Sequence, residues 1–202
     1  HHCYVVRRQR QPILPIPQMV LDSNTVIVSC GMTNFESTVY TDGRQLKFRT
    51  HLGDRKVEVD HFRNPKQDHP NDEKIFLDSF KDNYPELCQG RDIYIVDCTG
   101  FENPEHDPRL RSHLGYHPTT LKSIVESPKF AIINKPLRNL KPHRKNLVIN
   151  VCKSGRHRSV GNATGQKAVV QDQLYGPVSA NQKPETTVQL LHLQADSHWD
   201  RM

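Results

Sequence analysis

The segment from Cys152 to Ser159 contains the residue types that an anion-binding loop needs. It reads Cys-Lys-Ser-Gly-Arg-His-Arg-Ser and directly follows an apolar run, residues 146–151. Where a strand turns at a glycine and continues as a helix, several unpaired backbone N–H groups point to one place at the positive end of the helix dipole. The sequence therefore predicts a site for an oxyanion, and a phosphate group fits it best.

The side chains of this segment add charge and hydrogen-bond donors. Gly155 lets the backbone curl without a Cβ in the way, and the planar guanidinium of Arg158 matches two phosphate oxygens. Ser159 stands where it could cap the helix or contact the ligand. The alternative is that the segment is only a strand-to-helix turn with surface arginines. The predicted ligand-binding residues are Lys153, Ser154, Gly155, Arg156, His157, Arg158 and Ser159.

The same segment matches a second kind of chemistry. Cys152 and Arg158 have the Cys-x5-Arg spacing of cysteine-dependent phosphatases, in which a thiolate at a helix N-terminus attacks phosphorus. Those enzymes have a histidine before the cysteine, where this chain has Val151. They also need an acid for the leaving group, for which Asp97 and Asp107 are the candidates. Cys152 is thus the candidate nucleophile of an alternative, catalytic function.

Apolar and β-branched runs predict the strands that position this segment. They lie at 25–30, 92–97, 146–152 and 187–193. Helices are predicted from Thr119, as the cap, to 127, from 128 onward with a break at Pro136, and at 159–173, before Gly176. Parallel strands require connections of this length, so we expect an α/β fold with an open, mostly parallel sheet and flanking helices.

The remaining parts of the chain predict a tail and an insertion. Residues 1–24 combine four basic or polar residues at 7–10 with three prolines, which favours a basic, extended tail before a single domain at 25–202. The segment 36–89 indicates an inserted hairpin followed by an amphipathic helix at 73–80. Because the chain starts without methionine, we expect it to be a fragment or a trimmed product.

Composition favours anionic partners. The chain has 202 residues, a formal net charge of +6 and a pI near 9.1, so a positive surface potential should attract phosphates or nucleic acid. Without an apolar run of spanning length, we expect no membrane contact and a cytoplasmic location. The oligomeric state is not predicted. The candidate nucleic-acid-binding residues are Arg138, Lys141, Arg144 and Lys145.

Cysteine and histidine spacing gives no signal for a metal or a cofactor. The five cysteines include no Cys-x-x-Cys pair, and the twelve histidines include no i, i+4 pair with a carboxylate between them. We therefore expect reduced, mostly buried thiols and no metal site. A Gly-x4-Gly-Lys-Ser/Thr motif is also missing from the sequence, so ATP hydrolysis is not expected.

The loop resembles that of the C-terminal domain of the bacterial RNase adapter protein RapZ and its relatives. The family hallmark is Gly-Cys-Thr-Gly-Gly-x-His-Arg-Ser, and this chain has Val151-Cys-Lys-Ser-Gly-Arg-His-Arg-Ser159. Lys153 and Ser154 depart from the family pattern. A second similar stretch consists of Asp97-Cys-Thr99, Asn103-Pro104, Leu110-Arg111 and Leu114-Gly115. The resemblance is strongest over residues 92–170.

This resemblance implies an α/β fold with a phosphate-sized pocket and the binding of an amino-sugar phosphate. In the bacterial adapter it also implies contact with small regulatory RNAs. Asp97 and His192, at the ends of predicted strands, and Asn103 and Arg111, in the second similar stretch, are candidates to surround the ligand, although each strand-end residue is as readily a buried structural one. We expect a sugar-phosphate-binding regulatory module, with the phosphatase and a purely structural domain as alternatives.

Overall fold

The structure is a computed structural model that describes residues 15–32, 36–41, 45–50, 62, 71–110 and 113–193. Most of the predicted tail, much of the 36–89 insertion and Arg111 lie outside the described residues. Within the described part of the chain, no helix is both long enough and apolar enough to cross a membrane.

The described residues include six strands, four of which lie where the apolar runs predict strands. They are β1 (Thr25–Gly31), β2 (Glu36–Thr41), β3 (Gln45–Thr50), β4 (Asp92–Asp97), β5 (Asn146–Cys152) and β6 (Gln189–His192). Four of them form one all-parallel sheet in the order β4-β5-β1-β6, and β2 pairs with β3 as an antiparallel hairpin. The α/β fold with an open parallel sheet and an inserted hairpin is confirmed.

One short helix precedes the sheet, and the other helices of the described residues lie between its parallel strands. They are α1 (Gln18–Asp22), α2 (Asp72–Asn83), α3 (Pro85–Cys88), α4 (Pro118–Val125), α5 (Phe130–Ile133) and α6 (Arg158–Tyr175). Pro136 divides the crossover as predicted, because α5 ends before it and a 3-10 turn, Lys135–Asn139, follows. Gly176, at φ 72°, ends α6.

The sheet buries both faces, as its continuous apolar runs require. On one face Val26, Val28 and Ile149 pack with α1, α2 and α3 around Phe76 and Phe80. On the other, the alternate residues of the same strands pack against α4, α5 and α6. Each connection between strands therefore crosses the sheet on the face where its helices pack.

Those connections diverge at the centre of the sheet. The chain leaves β1 towards α2 and α3 on one face, whereas β5 continues directly into α6 on the opposite face. Because β1 and β5 are neighbours, a crevice is expected at their carboxyl ends, where ligands bind in open α/β sheets. Gly31 and Cys152 are register partners at this point.

Two local predictions are wrong. The segment before β1 was expected to be extended to residue 24, but α1 begins directly after Pro17, which precedes the helix rather than interrupting it. The Arg91 guanidinium donates hydrogen bonds of 2.9 and 2.7 Å to the carbonyls of Leu21 and Ser23 and so holds the end of α1. Thr119 is not a cap, because α4 begins one residue earlier, at Pro118.

Candidate functional site

The predicted anion-binding loop, residues 153–157, lies at the carboxyl edge of the sheet. It leaves the central strand β5 and leads into α6, which has 18 residues. The first intrahelical bond near this end runs from the Gly161 N–H to the His157 carbonyl at 2.8 Å. The side chain of the N-cap residue, His157, makes no capping hydrogen bond to the first turn of α6. The amides of residues 158–160 therefore face the loop with the positive end of the helix dipole.

Two glycines hold the loop against the end of β1. Gly155 has a φ of 72°, in the left-handed region that a residue with a Cβ rarely adopts. A Cβ on Gly31 would lie 2.4 Å from both the Ser154 carbonyl carbon and the Gly155 nitrogen. The backbone of the loop thus rests directly on Gly31, the last residue of the neighbouring strand, at the carboxyl ends of β1 and β5.

A third glycine fixes the other side of the loop. The Gly115 N–H donates a 2.8 Å hydrogen bond to the Arg156 carbonyl, and a Cβ on Gly115 would lie 2.1 Å from the His157 carbonyl oxygen. The turn before α4 therefore packs backbone to backbone against the start of α6. These contacts give the loop a fixed path before any ligand binds.

The thiol of Cys152 lies at the base of the loop. Its Sγ accepts a 3.2 Å hydrogen bond from the Gly155 N–H and donates one of 3.2 Å to Ser159 Oγ. Both Cys152 and Ser159 are buried, with only 2% of Cys152 exposed. Ser159 thus contacts the sulfur rather than capping the helix. The Cys152 sulfur therefore connects the end of β5 with both the loop and the first turn of α6.

Arg158 reaches from the first residue of α6 to the end of β4. Its Nη1 donates hydrogen bonds of 2.9 Å to the Thr99 carbonyl and 3.4 Å to the Phe101 carbonyl. Asp97 supports the same turn, because its Oδ1 accepts bonds from the Thr99 N–H at 2.8 Å and from the Thr99 hydroxyl at 2.6 Å. Both predicted site residues therefore hold the turn after β4 beside the start of α6.

The other predicted loop residues differ in exposure. Lys153 is exposed, Ser154 and Arg156 are half-buried and His157 is buried. The Nε of Arg156 is buried without a hydrogen-bond partner in the described part of the chain. Lys153 and Arg156 are therefore the two cationic side chains of the loop that remain available to contact an anion.

His192 ends β6 two strands away from the loop-bearing β5. Its Nδ1 lies 2.7 Å from Ser29 Oγ, and its ring centroid is 6.0 Å from that of Tyr116. Burial lowers the pKa of His192 to about 4, so the imidazole is neutral at pH 7. Asn103 lies in the segment after β4, and Arg111 is outside the described residues.

The candidate nucleic-acid-binding residues lie at the opposite edge of the sheet. Arg138, Lys141, Arg144 and Lys145 precede β5, whose seven residues separate them from the loop by roughly 20 Å. All four are exposed, but Arg144 forms a two-pronged ion pair with Asp92 at 2.8 and 2.9 Å. These residues and the loop cannot hold the same small ligand.

An open cleft of about 500 Å³ also lies at that amino edge, between α1 and the turn before β4. Its lining includes two acids, Asp22 and Glu86, as well as two bases, so it has no preference for anions. Of the predicted functional residues, only Lys145 lines it. The lining residues are Gln18, Leu21, Asp22, Glu86, Gln89, Gly90, Arg91 and Lys145.

No model of a known protein family matches the chain, and no curated protein matches it. Among the described residues, no group of three histidine, cysteine or acidic side chains is placed to hold a metal ion.

Sequence reasoning missed the residues that support the loop from outside. Gly31 and Gly115 lie against its backbone so closely that neither leaves room for a Cβ, and the carbonyls of Thr99 and Phe101 hold Arg158. A glycine directly after a buried strand was the available signal for Gly31, since such a position often marks a close backbone approach. No side-chain pattern signals a carbonyl acceptor.

Proposed function

We propose that the chain is a binding module that holds the phosphate group of a small molecule on the loop 153–157 and the first turn of α6. The observation that carries this proposal is the position of the N-terminus of α6, whose N-cap residue His157 makes no side-chain capping bond, at the carboxyl ends of β1 and β5. The first-turn amides of a helix have no partner within the helix, so together with the positive end of the dipole they favour an anion at that position. The glycine contacts support it, because a preorganised loop loses little entropy on binding.

Charge around the loop supports a phosphate rather than a neutral ligand. Lys153 is exposed beside the loop, Arg156 has a buried Nε without a partner among the described residues, and Arg158 holds the turn after β4 beside the start of α6. Three cations within six residues raise the local concentration of anions. The resemblance to the C-terminal domain of RapZ supports an amino-sugar phosphate as the ligand class.

Calorimetric titration tests this proposal. We would titrate the wild type with inorganic phosphate, glucosamine 6-phosphate and glucosamine, and repeat the phosphate titrations on Lys153→Gln. We expect both phosphates but not glucosamine to bind, with severalfold weaker affinity in the variant. Lys167→Gln is the matched control, since Lys167 is also exposed but lies on α6 more than two turns from the loop. Equal affinity for glucosamine and glucosamine 6-phosphate would contradict the proposal.

A cysteine-dependent phosphatase is the second candidate, and the hydrogen bond from the Gly155 N–H to Cys152 Sγ favours it. An amide donor stabilises a thiolate at the base of an anion-binding loop. Against it, Arg109 lowers the pKa of Asp107 by hydrogen bonds to its carboxylate, which makes Asp107 a poor acid for the leaving group. Asp97 is already engaged with Thr99.

Release of phosphate separates the two candidates. With p-nitrophenyl phosphate, the binding module gives no turnover, and Cys152→Ser binds phosphate as the wild type does. Turnover that disappears in Cys152→Ser would instead establish the phosphatase.

Contact with RNA is a separate proposal for the basic residues at the amino edge. The exposed side chains of Arg138, Lys141 and Lys145 support it, because a row of cations attracts a nucleic-acid backbone. The double variant Lys141→Gln/Lys145→Gln should weaken binding of single-stranded RNA at low salt and leave phosphate affinity unchanged. Unchanged RNA binding would exclude this surface.

A further inference from the structure

Four buried carboxamides lie between the sheet and the helices beside the candidate site. Asn150 comes from β5, Asn162 and Gln166 from α6, and Asn134 from the residue that ends α5. All four are at most 8% exposed. We call them the amide network, and we infer that it is the positioning device that sets the start of α6, and with it the anion-binding loop, against the sheet.

The hydrogen bonds of the amide network join its four side chains in a closed ring. Asn162 and Asn134 exchange bonds of 3.0 and 2.8 Å, and Asn162 also donates to Asn150 Oδ1 at 2.8 Å. Gln166 donates to Asn134 Oδ1 and accepts from Asn150 Nδ2, both at 2.6 Å. A slip of α6 along the sheet would break several of these bonds together.

The network also reaches the strands on both sides of β5. Asn150 Nδ2 donates to the Val28 carbonyl of β1 at 3.3 Å, and the Cys98 thiol, just past β4, donates to Asn150 Oδ1 at 3.6 Å. Burial raises the pKa of Cys98 well above its ordinary value, so that thiol stays protonated and remains a donor. The network therefore connects the central strands with α5 and α6.

Its position along α6 is the reason to connect it with the candidate site. Asn162 lies one helical turn after Arg158, and Gln166 one turn further. Arg158 is held by the carbonyls after β4, so the first three turns of α6 are fixed by specific polar contacts at each turn. An apolar core would give comparable stability but would tolerate small sliding motions, whereas directional bonds specify one arrangement.

The inference rests on the proposed function for the ligand that the loop binds, but it can be tested without that ligand. Hydrogen exchange of the Gly155 and Gly161 amides reports on the loop, because both amides are hydrogen-bonded there. In Asn162→Ala and in the volume-conserving Gln166→Met, we expect these two amides to exchange at least about tenfold faster, and phosphate affinity to fall by about tenfold.

Gln171→Ala is the matched control. Gln171 is another buried amide of α6, but it bonds to the backbone of Gly176, Thr186 and Val188 at the far end of the helix. Its removal should lower the melting temperature without changing the exchange of Gly155 and Gly161 or the affinity for phosphate. Comparison at equal distance below each melting temperature separates positioning from general destabilisation.

The outcomes separate the two proposals. Faster loop exchange in both network variants but not in Gln171→Ala supports the positioning role even if the wild type fails to bind phosphate, in which case only the proposed function falls. If the wild type binds phosphate, equal affinity in folded network variants overturns the inference. Loop exchange that is unchanged in those variants, or that Gln171→Ala accelerates equally, also overturns it.

Discussion

The guanidinium of Arg158 donates a 2.9 Å hydrogen bond to the main-chain carbonyl of Thr99. The first residue of α6, which follows β5, is thereby attached to the segment after the neighbouring strand β4. A cation held in this way contributes its charge to the crevice, and it also holds the helix in place. Its replacement should therefore affect both binding and stability.

For Arg158→Ala we expect phosphate affinity to fall at least about tenfold and stability to fall by about 1–3 kcal/mol, because a hydrogen-bonded charge is lost and carbonyl acceptors lose their donor. Arg158→Lys keeps the charge and should recover part of the affinity. Calorimetry and thermal melts measure the two effects. Equal affinity in Arg158→Ala and the wild type would place the anion elsewhere.

For Gly155→Ala we expect a loss of about 1–2 kcal/mol of stability, because its φ of 72° is unfavourable for a residue with a Cβ. Gly176, at the other end of α6, has the same φ, so Gly176→Ala should lose a similar amount of stability. Only Gly155→Ala should also lose phosphate affinity. If both variants bind phosphate equally well, the loop backbone is not the binding surface.

For Gly31→Ala we expect the loop to be displaced, because the new methyl group would overlap the backbone of Ser154 and Gly155. Phosphate affinity should fall by more than about tenfold, with a stability loss typical of overpacking, about 1–3 kcal/mol. Gly100→Ala is the control, since its methyl group would meet only the movable Ile133 side chain. Retained affinity in folded Gly31→Ala would show that the loop does not need this contact.

Stability should fall as the pH is lowered from 6.5 towards 4. Burial lowers the pKa of His192 from 6.5 to about 4, so in this range the unfolded chain binds a proton that the native state does not. Proton binding by the unfolded chain then lowers the free energy of unfolding by up to about 1.4 kcal/mol for each pH unit below 6.5. Above pH 6.5 the imidazole is neutral in both states, so stability no longer changes through this group. Denaturant melts at several pH values should show a flatter profile for His192→Gln. Identical profiles would contradict the buried, neutral imidazole.

The strands and α6 could be predicted because each is encoded locally. β5 has the predicted bounds, Asn146–Cys152, since seven apolar or small polar residues lie between a basic segment and a glycine-containing loop. The order β4-β5-β1-β6 depends on pairing between segments far apart in sequence, and the runs alone do not encode it. The position of the loop against Gly31, at the carboxyl ends of β1 and β5, was therefore a finding of the structure.

The short helix α1 illustrates the opposite case. Its five residues form too short a helix to be stable alone, and the three prolines before it favour an extended chain. What stabilises it is Arg91, 70 residues later, whose guanidinium bonds to carbonyls at its end. In the same way, Arg158 was predicted as a phosphate ligand from its type and its place at the start of a helix, whereas its carbonyl partners follow from the tertiary structure.

The central place of β1 has a consequence for how the protein can be divided. Its partners on both sides, β5 and β6, come from the second half of the chain, and the hairpin β2–β3 follows it before α2. We expect two separately produced pieces, ending after β3 and beginning before α2, to reassociate by fragment complementation. In the reassembled protein, β1 of the first piece lies between β5 and β6 of the second piece. The second piece alone would therefore expose the unpaired edges of β5 and β6, and we expect it to aggregate.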